Sequence, residues 1–158
     1  MSTPHLRPAT LSDMGILFAW KNDSTVRASA FNTEPVPLEE HTRWFESALR
    51  NPDIRIYILE NEGKAIGQVR INKSGGVALI DYSIDKTYRK KGFGKEIIRL
   101  LERECNEDCS ISVLKAEVKK ENVASRRVFD RLGYTVIEKG DFMIYTKLTN
   151  VIGGVVHL

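Results

Sequence analysis

Between Val77 and Glu107 the chain passes from a largely apolar strand, Val77 to Ile84, through Tyr88-Arg89-Lys90-Lys91-Gly92-Phe93-Gly94-Lys95 into a helix. Over Gly92 to Glu107, Ile97, Ile98, Leu100, Leu101 and Cys105 make one broad apolar stripe with charges elsewhere, so one face of that helix must be covered. At the junction the glycines let the backbone turn tightly. Several N–H groups and a helix N-terminus then point outward together, ringed by Arg and Lys side chains. Such an anion site suits a pyrophosphate. The spacing departs from a P-loop, which ends in Gly-Lys-Ser/Thr, and from the dinucleotide fingerprint, which places three glycines after the first strand. A tight turn with solvated charges is the plainer alternative.

The flanking elements predict the rest of a mixed α/β domain. Leu6 to Ala9 reads as an edge strand interrupted by Pro8, which cannot donate to a ladder. Thr10 or Ser12 is placed to cap a helix with Met14, Leu17, Phe18 and Trp20 at apolar spacing. A connection holding Pro35 and Pro37 leads to a helix from Leu38 through Trp44, Phe45 and Leu49, stopped by Asn51-Pro52-Asp53. Strands Ile54 to Glu60, Ala65 to Asn72 and Val77 to Ile84 follow, with hairpin turns at Asn61-Glu62-Gly63-Lys64 and Ser74-Gly75-Gly76. Beyond the central helix come a strand from Ile111 to Val118 and a helix from Val123 to Leu132, ended by Gly133. Tyr134 to Glu138 and Phe142 to Leu148 form a last hairpin. The order is β-α-α-β-β-β-α-β-α-β-β.

At 158 residues the chain has room for one domain, read as residues 1–150 with a tail at 151–158. An apolar fraction of 42% against 28% charged excludes disorder as the main state. No apolar run approaches the roughly 20 residues of a membrane span, and the N-terminus carries no secretory pattern, so the expected place is the cytoplasm with no membrane partner. A net charge of +3 is too small to argue for nucleic acid. Cys105 and Cys109 read as free thiols, and no Cys or His set completes a metal site. The apolar tail Val151-Ile152-Gly153-Gly154-Val155-Val156 leaves three fates open: packing on a second copy in a homodimer, filling a groove of its own chain, or disorder.

Arg89-Lys90-Lys91-Gly92-Phe93-Gly94 resembles the R/Q-x-x-G-x-G/A acetyl-CoA motif of the GNAT superfamily of N-acetyltransferases. Asn122, Ser125, Phe129 and Leu132-Gly133-Tyr134 are similar to that family's second signature. The resemblance implies a GNAT fold: an α/β (α+β) domain with a mixed, mostly antiparallel sheet of about seven strands flanked by about four helices. It implies acetyl-CoA as donor, with no metal. Backbone amides from Lys90 to Lys95, through Lys91, Gly92, Phe93 and Gly94, would cradle the pyrophosphate, with Arg89 adding charge. The main chain of Tyr82, Ser83 and Ile84 would pair with the pantetheine arm where the fourth and fifth strands splay. Asn122, Ser125 and Phe129 would lie near the thiol end, although Asn122 also suits a helix N-cap and Ser125 a helix surface.

The pattern breaks at the chemistry. Many members place at Phe129 a Tyr whose hydroxyl reprotonates the CoA thiolate, and many carry a Glu at or next to Ala78. Asp81, the strand acid here, falls on the opposite face from Ala78. Candidates for acid or base are Tyr82, Tyr134, Ser83, His41 or bulk water. For the acceptor, Trp20-x-Asn22-Asp23, Arg27, Phe31, Glu40-x-His41-x-x-Trp44-Phe45 and Gly67-Gln68-Val69-Arg70 resemble a narrower branch. Its members acetylate the 4-amino group of UDP-linked 4-amino-4,6-dideoxy sugars toward pseudaminic-type nonulosonic acids. Trp20, Trp44 and Phe31 offer stacking faces to a nucleotide sugar, and Arg27, Arg70 and Lys73 offer cations. Trp44 and Phe45 at helical spacing equally suit a core, and His41 a buried imidazole. Acetylation of protein N-termini, ribosomal proteins or small amines, and a CoA-binding domain without catalysis, are the alternatives.

Overall fold

The computed structural model describes residues 3–149, and the expected tail at 151–158 lies outside them. Seven strands form one sheet: β1 (His5–Pro8), β2 (Ile54–Asn61), β3 (Lys64–Ser74), β4 (Val77–Ile84), β5 (Val113–Lys119), β6 (Thr135–Lys139) and β7 (Phe142–Leu148). Their spatial order is β1-β2-β3-β4-β5-β7-β6. Every neighbouring pair is antiparallel except β4 and β5, which the helix α4 (Phe93–Asn106) joins as a parallel crossover. The other helices are α1 (Met14–Asn22), α2 (Ser24–Ser29), α3 (Leu38–Arg50) and α5 (Val123–Arg131).

The helix count is therefore five among the described residues, where the sequence pattern suggests four. α2 buries none of its side chains, so it has no apolar stripe for periodicity to detect. It forms because the Asp23 carboxylate accepts from the Thr25 and Val26 amides at 3.0 and 3.1 Å, capping a helix start that would otherwise leave both donors open.

Turn chemistry sets the hairpin registers. Glu62 and Gly63 (φ 54° and 74°) close β2 to β3, the positive φ at both central residues that matches the twist of a two-residue hairpin. Pro8 ends the edge strand β1, where a missing N–H costs nothing. Asp13 is 6% exposed and accepts both Arg7 guanidinium nitrogens at 2.8 Å as well as the Thr10 amide at 2.8 Å. Arg7 holds its carboxyl below the ordinary range.

The two faces of the sheet carry separate cores. On one, α4 and α5 lay Ile97, Ile98, Leu101, Cys105 and Phe129 over Leu59, Val69, Ile71, Ala78, Leu114 and Ala116. On the other, α1 and α3 set Leu17, Trp20, Phe45 and Ala48 against Ile56 and Ile58 of β2. Cys105 and Cys109 are both free thiols, and burial pushes the first up to about 11. That second core stops at the middle of the sheet. Toward β4 and β5 the same face turns polar.

Candidate active site

β4 pairs with β5 only at Val77, Ala78 and Leu79, yet stays in register with β3 as far as Ile84. The sheet thus parts after Leu79, and a cavity of about 990 Å³ runs through the parting. At one end it meets the β4–α4 junction and α5; at the other it lies under α2 and α3, over the polar face of the sheet.

At the first end α4 begins at Gly92, whose φ of 86° is open to glycine and costly for other residues. Phe93, Gly94 and Lys95 occupy the first turn, where helical N–H groups have no intrahelical acceptor. Lys90, Lys95, Arg127 and Arg131 line the same end. Open amides, the positive pole of a 14-residue helix and four cations fit a diphosphate. A Cβ on Gly94 would lie 3.3 Å from Val128 Cγ2 and 3.6 Å from the Tyr82 hydroxyl, so a side chain larger than a methyl group would crowd this end of the cavity.

Tyr82, Ser83 and Ile84 line the parting, as do Asn122, Ser125 and Phe129. Asn122 does cap α5: its side-chain oxygen accepts the Ser125 amide at 3.2 Å. Ser125 is nevertheless 7% exposed rather than a surface residue, and its hydroxyl meets that of Tyr82 at 3.1 Å. Burial raises the Tyr82 phenol, with the Ser125 bond acting in the opposite sense, so the phenol stays protonated at neutral pH. Ser83 is fixed by Gln68 Nε2 at 3.2 Å.

Under the helices, His41 is 4% exposed among the rings of Phe18, Trp44 and Phe45, and its Nδ1 has no partner among the described residues. Burial first, then the Lys21 charge, lowers its pKa and keeps the imidazole neutral near pH 7. Trp44 is 37% exposed and carries the Arg70 guanidinium 5.0 Å over its ring, whereas Phe45 next to it is wholly buried. The helix thus splits the Trp-Phe pair between site and core. Trp20 reaches the cavity wall but is 5% exposed, and its indole N–H donates to Asp85 at 2.7 Å.

Several expected site residues are not brought to the cavity. Tyr134 packs on Phe129 at 4.9 Å with the Lys147 ammonium 5.3 Å over its ring, which places it behind α5 rather than in the parting. Asn22 spends its amide on the Val36 backbone at 2.8 and 3.0 Å, pinning the loop before α3. Phe31 meets Phe142 edge-on, and Arg27 lies off the lining. Lys91 sits over Tyr88, and Lys73 pairs with Asp108 at 3.7 Å on another part of the surface. Arg89 reaches the cavity wall with its guanidinium engaged elsewhere: Nε donates to the Ile84 carbonyl at 3.0 Å and Nη2 to Asp23 at 2.9 Å.

Glu40 lines the cavity as its place in the acceptor pattern implies, whereas Glu117 and the α2 residues Thr25 and Ser29 line it without any sequence pattern pointing to them. For Glu117 the signal was the alternation of Leu114, Ala116 and Val118 with Lys115, Glu117 and Lys119, which assigns it to the polar face. Asp81 shares that face, opposite the buried Ala78, as its spacing requires.

Known proteins with this geometry agree on its kind. The model of the acetyltransferase (GNAT) domain matches residues 5–135. A spermidine N-acetyltransferase from Vibrio cholerae, solved with CoA and spermine, superposes with a TM-score of 0.84 at 16% identity, covering 92% of this chain and 95% of that one. A domain from Methanocaldococcus jannaschii gives 0.81 at 21% identity over 94% and 99%. An acetyltransferase from Salmonella typhimurium that modifies the N-terminal serine of ribosomal protein L7/L12 gives 0.79 at 17% identity over 94% and 96%. No curated protein matches the sequence. At such identities the superpositions speak for the fold, and the domain match, which spans most of the chain, decides the family: the chain belongs to the GNAT acetyltransferases.

Proposed function

We infer that this acetyl-CoA-dependent N-acetyltransferase acts on the 4-amino group of a UDP-linked amino-dideoxy sugar, by direct transfer with both substrates bound. The observation that carries the reading is the Arg70–Trp44 pair at the acceptor end of the cavity, 5.0 Å apart, beside the His41 Nδ1 that has no partner among the described residues. A guanidinium on an indole face offers a planar stacking surface and an anion-binding fork together, which suits a nucleotide diphosphate.

Acetyl-CoA supplies a thioester whose carbonyl carbon accepts the amine. The chain's residues then have two proton tasks. Glu117, on β5 beyond the parting, takes a proton from the attacking amine as the C–N bond forms. As the C–S bond breaks, the sulfur takes a proton from the Ser125 hydroxyl, which Tyr82 replenishes across their 3.1 Å bond. As the products leave, water returns a proton to the Tyr82 phenolate and takes the one held by Glu117, so no net proton is gained or lost by the chain. This pair fills the role left open by Phe129.

Release of free thiol from acetyl-CoA, measured against UDP-4-amino sugars, polyamines, amino acids and basic peptides, tests the reading. Turnover confined to the UDP-amino sugar is expected. Turnover on peptides alone overturns the acceptor, and CoA binding without turnover on any amine favours a non-catalytic domain. Polyamines are the second reading, because Glu40, Asp81 and Glu117 put three carboxylates around the acceptor end.

A further inference from the structure

α2 forms a wall of the acceptor end through Thr25, Val26 and Ser29, continued by its C-cap Ala30, yet none of its residues is buried. Packing therefore contributes little to its position. It is held by its ends. In its last turn the Ala28 carbonyl accepts the Lys119 ammonium at 3.1 Å, and beyond its C-terminus Phe31 meets Phe142 at 5.4 Å. At its N-terminus, one carboxylate oxygen of Asp23 accepts the Thr25 and Val26 amides and the Arg89 guanidinium together. Arg89 opens the glycine-bearing turn of the donor end and also holds the last carbonyl of β4. A second bond, from the Trp20 indole of α1 to Asp85, ties the helix before α2 to the segment that follows β4.

We propose that the Asp23–Arg89 ion pair couples the two ends of the cavity, so that filling the donor end fixes α2 over the acceptor. This rests on the donor site inferred above. The pair is partly shielded, with side chains 19% and 28% exposed, and Arg89 together with burial sets the environment of the Asp23 carboxyl. An anion bound at the first turn of α4 orders Lys90 to Lys95 and with them the backbone of Arg89. Nε on the Ile84 carbonyl then holds the guanidinium at one orientation, and Nη2 presents a fixed partner to the cap of α2. Asp23 does not line the cavity. It acts as a positioning residue, through Arg89.

The test uses the full chain, CoA as the probe, and the variant Asp23→Asn. Asparagine caps a helix as well as aspartate does but lacks the charge that Arg89 binds. CoA affinity is measured by calorimetry, and amide hydrogen exchange is followed over residues 24–31 with and without saturating CoA. In the parent, CoA is expected to slow exchange of that segment by about 5-fold or more, the lower end of ordinary site-to-site coupling. In Asp23→Asn the slowing falls below about 2-fold while the CoA Kd stays within about 3-fold of the parent. Equal slowing in both proteins, or faster exchange in the parent with CoA, overturns the coupling while leaving the donor site standing. Failure of the parent to bind CoA instead overturns the donor site, and the coupling with it.

Discussion

Gly67 of β3 and Ser83 of β4 approach so closely that a Cβ on Gly67 would stand 2.5 Å from the Ser83 carbonyl oxygen. The contact lies where β4, no longer paired with β5, leans onto β3. Glycine inside a strand commonly marks such a backbone approach. Gly67→Ala must push β4 back toward β5 and narrow the parting. The expected cost is about 1–3 kcal/mol, as for other overpacked positions. For a chain of this size that is a fall in Tm of roughly 2–12 °C. Thermal unfolding and CoA titration check it, and CoA affinity should fall with Tm.

Tyr82→Phe removes a hydroxyl and leaves the ring against Phe129. If that hydroxyl supplies the sulfur's proton, kcat falls by about 100-fold or more while the KM for acetyl-CoA changes little. Ser125→Ala should lose a similar factor. The double variant should be scarcely worse than either single one, because both interrupt one relay. Steady-state kinetics of the three variants decides it, and additive losses would break the relay apart.

Arg70→Ala and His41→Ala should raise the acceptor KM more than the acetyl-CoA KM. Both side chains stand at the α3 end, away from the first turn of α4. Arg70→Lys is expected to rescue poorly, because an ammonium cannot lie flat on the Trp44 ring as a guanidinium does. A KM split in the other direction would move both residues to the donor end.

Stability should decline on mild acidification. The His41 pKa is lowered in the folded chain, so below the ordinary value of about 6.5 the unfolded state takes up a proton that the folded state refuses. The penalty is absent near pH 8, grows as pH falls from 7 toward the folded pKa, and is complete below it. One proton limits the slope to about 1.4 kcal/mol per pH unit. Asp13, Asp23 and Asp85 have lowered pKa values, so their contribution is present above about 3.8 and is lost in strong acid, in a separate window. Urea midpoints from pH 8 to about pH 2 should show the first step and the onset of the second, and His41→Gln should remove only the first.

Elements whose signal is local were legible in the sequence. The stripe of α4, the alternation of β2 and the glycine turns each state which face is apolar or where φ must be positive, and none depends on a distant partner. The same is true of the glycine-bearing turn before α4 and of the Asn122 cap on α5. The parting of β4 from β5 was not among these local signals: it was implied by the resemblance of Arg89 to Gly94 and of Asn122 to Tyr134 to the GNAT motifs.

What a polar side chain does was decided by tertiary structure. Arg89 stands 66 residues from the carboxylate that holds it, so no window of sequence pairs the two or foretells the capped, unburied α2 between them. Tyr134 shares its signature segment with Ser125, yet it packs behind Phe129 while Ser125 faces the cavity. Trp44 and Phe45 are adjacent, and the packing of α3 on the sheet leaves one exposed beside the cavity and buries the other in the core. Periodicity encodes the burial of a face, because water acts on each residue where it stands. Satisfying a charge or a hydroxyl requires a particular partner at about 3 Å, and only the folded chain brings that partner there.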